Sequence, residues 1–443
     1  MNGRARICLS WAAMALCGAG CLTRGTPAEG GEGTDESRAT AAATGTDGPG
    51  EEPTPSVAQL SAGMTHTCAL LSNGAVRCWG FGADGRLGYG NVTDVHTAGA
   101  GGDVNVGGAV ELIAAGVDHT CALLVGGSVR CWGSGKFGRL GYGSTDAIGD
   151  DELPVSAGDV QVGGAVADLA VGGGHACALL VGGAVRCWGY GQWASLGHSS
   201  GRSIGDDETP ASAGDVEIGG RVVHLAVGTH HNCTLLDSGG TRCWGCGYSG
   251  KLGYGDEAFV GNDELPADAG DVDVGGPVVQ LAAGGSNTCA LLETGAVRCW
   301  GWNGSGELGY GDIGIGMQLE EPASVGEVEV GGPVVQLAAG RRHTCAVLSM
   351  GRVRCWGRGE SGRLGYGNED DVGDDETPAE AGDVDVGGPV VQVTVGGNHT
   401  CALLVSGSVR CWGANSNGQL GYGHTESIGD NETPASAGDV PIL

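Results

Sequence analysis

A stretch of fifteen residues that contains two cysteines recurs seven times, and it constrains the fold of this chain more than any other feature. Its first copy runs from His66 to Gly80 and reads HTCALLSNGAVRCWG. The second to seventh copies follow one another at 56 residues, and the first step is 53. A period of this length indicates a repeat architecture, in which each unit buries its apolar face against its neighbours.

Each copy predicts a β-hairpin in which the two cysteines face each other. The turn ends in Gly74 in the first copy and in a Gly in all the others, because Gly adopts a positive φ without a Cβ clash. Counting outward from this turn, Cys68 faces Cys78 in a non-hydrogen-bonded pair, where Cα atoms lie roughly 4.5 Å apart and a disulfide fits. The seven predicted disulfides are Cys68–Cys78, Cys121–Cys131, Cys177–Cys187, Cys233–Cys243, Cys289–Cys299, Cys345–Cys355 and Cys401–Cys411.

A zinc site is the alternative for these cysteines. His66 precedes the first pair, and every copy keeps this His except the fifth, which has Asn287. Each copy is nevertheless one ligand short of the usual four, and the close CxxC spacing occurs once, from Cys243 to Cys246. We therefore predict disulfides, no metal site and no cofactor. Cys246 is left without a predicted role.

The N-terminus predicts export. Two arginines precede an apolar run over residues 7–19, as in a signal peptide, and Cys21 closes a stretch that resembles the lipobox of bacterial lipoproteins. Residues 22–56 are too poor in large apolar side chains to form a core and predict a disordered tether. We thus expect a signal peptide at 1–21 with lipidation of Cys21, a tether at 22–56 and a repeat domain at 57–443. The expected location is the outer membrane or cell surface, or otherwise the medium, all of which permit disulfides.

Each copy offers four strand candidates, which predicts an all-β fold of four-stranded antiparallel blades. In the fourth copy the first candidate is the segment 215–218, joined by Gly219 and Gly220 to the next. The chain ends on a segment of the same kind, 439–442, while the first copy has none before it. We therefore expect the C-terminal strand to join the first blade and close the ring.

The repeat resembles that of the RCC1 family. The residues that carry the resemblance are Gly-x-x-x-His-x-Cys-Ala-Leu, then Gly-x-Val-Arg-Cys-Trp-Gly, then Leu-Gly-Tyr-Gly. The resemblance implies a seven-bladed β-propeller whose loop-built faces bind proteins, and bacterial members include exported proteins, among them a β-lactamase inhibitor. The chromatin binding of the eukaryotic founder is not expected here, because a net charge of −30 opposes contact with nucleic acid.

The third copy departs from the others in one loop. It has His198 and Ser199 where the other copies have Tyr-Gly, and Trp193 precedes them, so these three residues form a candidate binding loop. The stretch 197–201 also matches G-x-S-x-G, but no strand-to-helix turn surrounds it, and we predict no catalytic residue. The predicted function is a monomeric, non-catalytic module at the bacterial cell envelope that binds an unidentified protein. The alternatives are an exported carbohydrate-binding or hydrolytic propeller and an exported enzyme inhibitor.

Two further sets of charged residues recur. Acidic triads such as Asp374-Asp375-Glu376 are compatible with calcium binding or with a solvated surface. An Arg stands two residues before the Trp in every copy, on the strand face opposite the cysteine, and we predict that it lies at the junction between blades. These arginines are Arg77, Arg130, Arg186, Arg242, Arg298, Arg354 and Arg410.

Overall fold

The computed structural model describes residues 54–314 and 320–443. The predicted signal peptide, Cys21 and nearly all of the predicted tether lie outside these residues. The described chain forms seven antiparallel sheets, one per copy of the repeat, and we number them blades 1–7 in chain order. Within the described residues, no helix combines the length and the apolar character needed to cross a membrane.

Each blade has an inner, a middle and an outer strand in chain order. The inner strands, which lie next to one another around the centre, are Val57–Ala62, Val110–Ala115, Val166–Val171, Val222–Val227, Val278–Ala283, Val334–Ala339 and Val390–Val395. The middle strands are His66–Leu71, His119–Leu124, His175–Leu180, His231–Leu236, Asn287–Leu292, His343–Leu348 and His399–Leu404. The outer strands are Val76–Gly80, Val129–Gly133, Val185–Gly189, Thr241–Gly245, Val297–Gly301, Val353–Gly357 and Val409–Gly413.

The helices of the described chain are short and lie in the loops that follow or connect the strands. One-turn α-helices span Pro154–Ala157, Pro210–Ala213, Pro266–Ala269, Pro322–Val325 and Pro378–Ala381. Single 3-10 turns span Ala83–Gly85, Lys136–Gly138, Gln192–Ala194, Tyr248–Gly250, Ser349–Gly351, Glu360–Gly362 and Pro434–Ala437. Each α-helix begins with Pro at its first position, where the missing N–H costs no hydrogen bond.

The predicted hairpins and disulfides are confirmed. Cys68 lies directly opposite Cys78, and the same register holds in the six other blades. All seven pairs are bonded, with Cα–Cα distances of 4.0 to 4.1 Å. Cys246 is the remaining cysteine of the described chain; it is buried and unbonded.

The prediction of four-stranded blades is wrong, because the Asp-Val segments do not form strands. Val104 donates one backbone hydrogen bond to the carbonyl of Val76, at 2.7 Å, and Val106 then donates to Val104 of its own segment. The Val106 carbonyl, which a ladder would need, accepts from the guanidinium of Arg130. Both valines are buried. The apolar alternation therefore reflects packing against the outer strand and not strand pairing.

The predicted closure of the ring by a C-terminal strand is also wrong. Val440 donates to the carbonyl of Val409, so the last segment packs on its own blade. Blade 7 meets blade 1 through side chains and a few isolated backbone bonds. His399 Nε2 lies 2.8 Å from Thr67 Oγ1, the Gln392 side chain bonds to the backbone of Leu60, and Gly397 donates its N–H to the Gly63 carbonyl at 3.1 Å. No strand is exchanged, and the seven sheets stay separate.

Glutamine side chains join four pairs of neighbouring inner strands. Gln336 accepts from the backbone N–H of Val393 at 2.9 Å and donates to its carbonyl at 2.8 Å. Gln59, Gln280 and Gln392 make the same pair of bonds to the next blade. Each amide thus replaces part of a missing backbone ladder. Blades 2–4 have Leu112, Asp168 and His224 at this position and lack the bridge.

A second set of junctions joins the first residue of each middle strand to the second residue of the next middle strand. His66 Nε2 lies 2.8 Å from Thr120 Oγ1, and this hydroxyl donates to the carbonyl of Arg86. The indole of Trp132 donates to the same carbonyl at 3.0 Å. Six of the seven junctions have such a side-chain pair, with Asn232 and Asn287 as variants. The exception is His119, which faces Ala176.

The contacts of the arginines explain why an Arg recurs at the same position in every copy of the repeat. Arg130 Nε donates to Asp159 at 2.8 Å and its Nη1 binds the Val106 carbonyl, so it ties together the segments that follow blades 1 and 2. Four other arginines pair with an Asp through Nε in the same way, and Arg410 pairs with Asp439 through Nη1. Arg298 differs, because Glu327 stands at the position of the Asp that pairs with the other arginines. Arg298 donates to carbonyls of the helix Pro322–Val325 and has no ion pair in the described chain.

Candidate protein-binding face

One face of the ring is built from two kinds of loop. The turns between inner and middle strands lie at its centre, and the loops that follow the outer strands surround them. We call this the loop face. The opposite face carries the turns between middle and outer strands, such as the turn at Met350.

A ring of glycines forms the centre of the loop face. Each is so close to the next that a Cβ on it would lie 2.1 to 2.6 Å from the carbonyl oxygen of its neighbour. At six junctions the residue after the Gly donates its N–H to that carbonyl, as Gly397 does to Gly63 at 3.1 Å. A side chain cannot be accommodated here, which explains why every copy has Gly. The seven glycines are Gly63, Gly116, Gly172, Gly228, Gly284, Gly340 and Gly396.

A cavity of about 560 Å³, which we call the mouth cavity, opens on this ring. Residues of all seven blades line it. Blades 5 and 7 contribute small residues around Gly285 and Gly397, so the rim is low there. Blades 2–4 contribute larger ones, with Tyr190 and Trp193 among them. The mouth is therefore asymmetric although the strands repeat closely.

Five aromatic side chains cluster on the loop face beside the mouth cavity, and we call them the aromatic patch. Trp193 stacks on Phe259 with ring centroids 5.9 Å apart and meets Tyr248 edge-on at 6.0 Å. Phe137 and Tyr190 form a second contact at 4.6 Å. Trp193, Phe137 and Tyr248 keep 39%, 47% and 52% of their surface exposed. Exposed contiguous aromatics of this kind mark interaction surfaces, because they bury much area at little entropic cost.

Phe137 and Trp193 have an unusual backbone conformation. Both occupy the middle of a 3-10 turn with positive φ, 63° and 68°. The equivalent residues elsewhere are short and polar, such as Asp84, Ser249 and Ser361. A bulky aromatic residue is strained in this conformation, so each of the two side chains costs conformational energy in its turn.

The charged side chains that line the mouth cavity are arginines. Arg139 and Arg341 line it, and no described residue of the lining carries a carboxylate. Arg139 pairs with Asp118, and although burial opposes it, this contact and the neighbouring His119 lower the pKa of Asp118. Burial also lowers the pKa of His230, which lies beside Trp193. The cavity is thus cationic in a chain whose net charge is −30.

The structure separates the residues of the predicted binding loop. Trp193 lines the mouth cavity, whereas His198 and Ser199 do not. His198 occupies the position at which Tyr142, in blade 2, hydrogen-bonds to both backbone groups of Cys131. Burial lowers the pKa of His198, which favours its neutral form. Its position is therefore that of a residue supporting the outer strand.

The acidic triads lie outside the mouth cavity. Three of them bring their carboxylate oxygens within 4.8 Å of one another: residues 150–152, 206–208 and 374–376. Burial and the neighbouring Asp375 raise the pKa of Glu376 to about 7. The middle residue of each triad is exposed.

Sequence reasoning missed most of the aromatic patch. Phe137, Tyr190, Tyr248 and Phe259 belong to different copies and different loop positions, so no motif joins them. A signal was present, however: aligning the seven loops after Cys-Trp-Gly places Phe137 and Trp193 at a position where the five other copies have Asp, Ser or Asn. The arginine at the mouth, Arg341, varies in the same way, with Gly, Val, Thr or Met in its place.

The chain is similar to a known repeat family and to proteins of plants and animals. The RCC1 (regulator of chromosome condensation) repeat matches at residues 57–86, 110–139 and 278–419. The Arabidopsis thaliana ultraviolet-B receptor UVR8 is 32% identical over 381 residues, which cover 84% of this chain and 80% of the receptor. Human HERC2, an E3 ubiquitin-protein ligase, is 32% identical over 71% of this chain, but the match covers 6% of HERC2.

Solved structures agree on the fold. Yeast RCC1 (Prp20), in its complex with Kap60, superposes with a TM-score of 0.65 at 20% identity, covering 90% of each chain. Human WBSCR16 gives a TM-score of 0.63 at 20% identity, over 80% of this chain and 92% of its own. The seven-bladed arrangement and the extent of the match to UVR8 lead to one assignment: this chain belongs to the RCC1 repeat family.

Proposed function

We propose that this chain is a non-catalytic, protein-binding propeller, and that its partner docks on the aromatic patch beside the mouth cavity. One observation carries the proposal: Phe137 and Trp193, which both line the mouth cavity, and Tyr248, which meets Trp193 edge-on, remain 39 to 52% exposed, while the seven Trp of the Cys-Trp-Gly motifs are fully buried. Aromatic residues are enriched at protein interfaces and at their energetic centres. RCC1-like propellers commonly bind or regulate other proteins, and the yeast RCC1 neighbour is seen bound to Kap60.

We further propose that the chain works outside the cytoplasm, tethered through Cys21 at a bacterial cell envelope. Seven disulfides support an oxidising compartment, since such bonds are rare where thiols are kept reduced. The lipid anchor is tested by mass spectrometry of the mature N-terminus. Substitution Cys21→Ser should move the protein from the membrane fraction to the soluble fraction, whereas an unchanged distribution would refute the anchor.

The binding proposal is tested by affinity capture with matched variants. The oxidised chain is compared with Trp193→Ala on the loop face and with Met350→Ala on the opposite face, where Met350 is 90% exposed. A protein recovered in fixed ratio by the parent and by Met350→Ala, but lost with Trp193→Ala, supports the proposal. Equal recovery by both variants would refute it.

The same experiment separates the alternatives. Recovery of a glycan would favour the carbohydrate-binding propeller, because exposed Trp and Tyr rings also stack on sugars. Recovery of an exported enzyme whose activity falls on binding would identify the chain as an inhibitor. In both cases the variant Trp193→Ala shows whether the aromatic patch is responsible.

A further inference from the structure

We propose that the mouth cavity receives an extended acidic segment of the protein partner, with a carboxylate on Arg341 and an aromatic or large apolar side chain against Trp193. The inference rests on the proposed function and specifies the chemistry of the partner. It concerns the cavity, whereas the proposed function concerns the face around it.

The charge of the cavity is the first argument. Asp and Glu number 52 in the chain against 22 Lys and Arg, yet the described lining of the cavity has two arginines and no carboxylate. Asp118 neutralises Arg139, but Arg341 is exposed and has no ion pair in the described chain. A carboxylate entering the cavity would therefore meet an uncompensated guanidinium, which binds it in a charge-assisted, bidentate geometry.

The surroundings of Arg341 extend this positive region. Arg342, Arg358 and Arg363 belong to the same blade, and the carboxylate of Glu360 is shared by Arg358 at 3.0 Å and Arg363 at 3.1 Å. Burial, together with the charges of Arg358 and Arg342, lowers the pKa of Arg363 to about 10 even though Glu360 opposes this. Glu360 is thus paired with two of these arginines, whereas Arg341 and Arg342 have no ion pair in the described chain.

Shape and size are the second argument. A volume of about 560 Å³ is in the range of cavities that hold drug-sized molecules, which is enough for a few residues of chain and too small for a folded domain. The floor is the glycine ring, whose carbonyls at six junctions already accept from the residue after the neighbouring Gly and whose N–H groups donate to the middle strand of their own blade. Recognition must therefore come from the side walls, where Trp193 and Tyr190 lie in blade 3 and Arg341 lies in blade 6.

The test is selection of a random peptide library displayed on phage against the oxidised chain. We expect the enriched peptides to combine Asp or Glu with Trp, Phe or Leu. Synthetic copies should lose about tenfold or more in affinity for Arg341→Glu, as expected when a hydrogen-bonded charge pair is reversed. Their affinity should also fall when each acid is replaced by its amide, and on raising the salt concentration.

The control is Arg221→Glu, an exposed arginine on the opposite face, which changes the net charge equally. Peptides that bind Arg221→Glu and the parent alike, but not Arg341→Glu, support the inference. Enrichment of peptides without carboxylates, or equal binding to both variants, would overturn it. That result leaves the proposed function standing if Trp193→Ala still loses the captured protein, so the two failures are distinguishable.

Discussion

Adding one hydroxyl at the junction between blades 2 and 3 should stabilise the protein. His119 is fully buried there and has no hydrogen-bond partner on either ring nitrogen within the described chain; Nδ1 lies 3.7 Å from Asp118. Ala176 stands where Thr120 and Thr288 stand at other junctions. In Ala176→Thr, the new hydroxyl reaches His119 and the carbonyl of Arg139, which already accepts from Trp188 at 3.1 Å.

The magnitude follows from the equivalent junctions. Thr400 Oγ1 lies 2.8 Å from His343 and donates to the carbonyl of Arg363 at 3.0 Å. Two new hydrogen bonds of this kind contribute about 0.5–1.5 kcal/mol each to the free energy of unfolding. Space for the side chain is expected because Thr occupies the same strand position opposite Trp in other blades. We therefore expect a gain of about 1–3 kcal/mol.

The assay is thermal unfolding of the oxidised chain by calorimetry. The matched control is Ala176→Val, which has the shape of Thr without the hydroxyl, so the difference in Tm between the two variants isolates the hydrogen bonds. The reverse substitution, Thr400→Val, should lower Tm. Equal Tm values for Ala176→Thr and Ala176→Val would refute the reasoning that these hydroxyls stabilise the ring.

Three other perturbations test the ring. Arg130→Ala should lower the free energy of unfolding, measured in urea, by about 1–3 kcal/mol. Arg298→Ala removes no ion pair and should lower it by less, so equal losses for the two variants would contradict this. Burial lowers the pKa of His175 and His399 to about 4, so the unfolded chain binds protons below about pH 6.5 that the folded chain does not bind. Stability should fall as pH drops from 6.5 to 4, by up to about 3 kcal/mol per histidine, and Tm values independent of pH there would oppose this account. Gln336→Leu should speed hydrogen exchange at the Val393 amide, to which Gln336 now bonds, while leaving exchange elsewhere in blade 7 unchanged.

The hairpin core of each blade was predictable because local chemistry determines it. A Gly at a fixed turn position sets the register, and the register places Cys68 opposite Cys78. The period of 56 residues then repeats this unit, and the resemblance of its motif to a known repeat supplied the number of blades and their ring. Only the hairpin and its disulfide need nothing beyond one repeat unit.

Alternation alone did not reveal that the Asp-Val segments form no fourth strand. Val104 and Val106 alternate with polar residues, as in a strand, and both are buried. The side chain of Arg130, from the next copy, takes the carbonyl that a strand partner would use. A contact between residues 24 apart in the sequence therefore decides the local structure, and the pattern of one segment does not contain it.

The candidate site was predictable only at Trp193. The aromatic patch assembles residues from the second to fourth copies, so its members share no motif, and the cationic mouth depends on a single Arg341 among seven equivalent turns. In a repeat protein, the residues that differ between copies hold the specific information. The folded ring is needed to show which of these differences lie on the same face.

Hydrogen exchange on the complex with the captured partner tests the central claim, binding through the loop face, most directly. Exchange of the oxidised chain is measured by mass spectrometry with and without that protein. The account predicts slower exchange in the loops that carry Phe137, Trp193 and Tyr248 and in the turn at Arg341, with no change in the turn at Met350. Protection confined to the opposite face, around Met350, would contradict it.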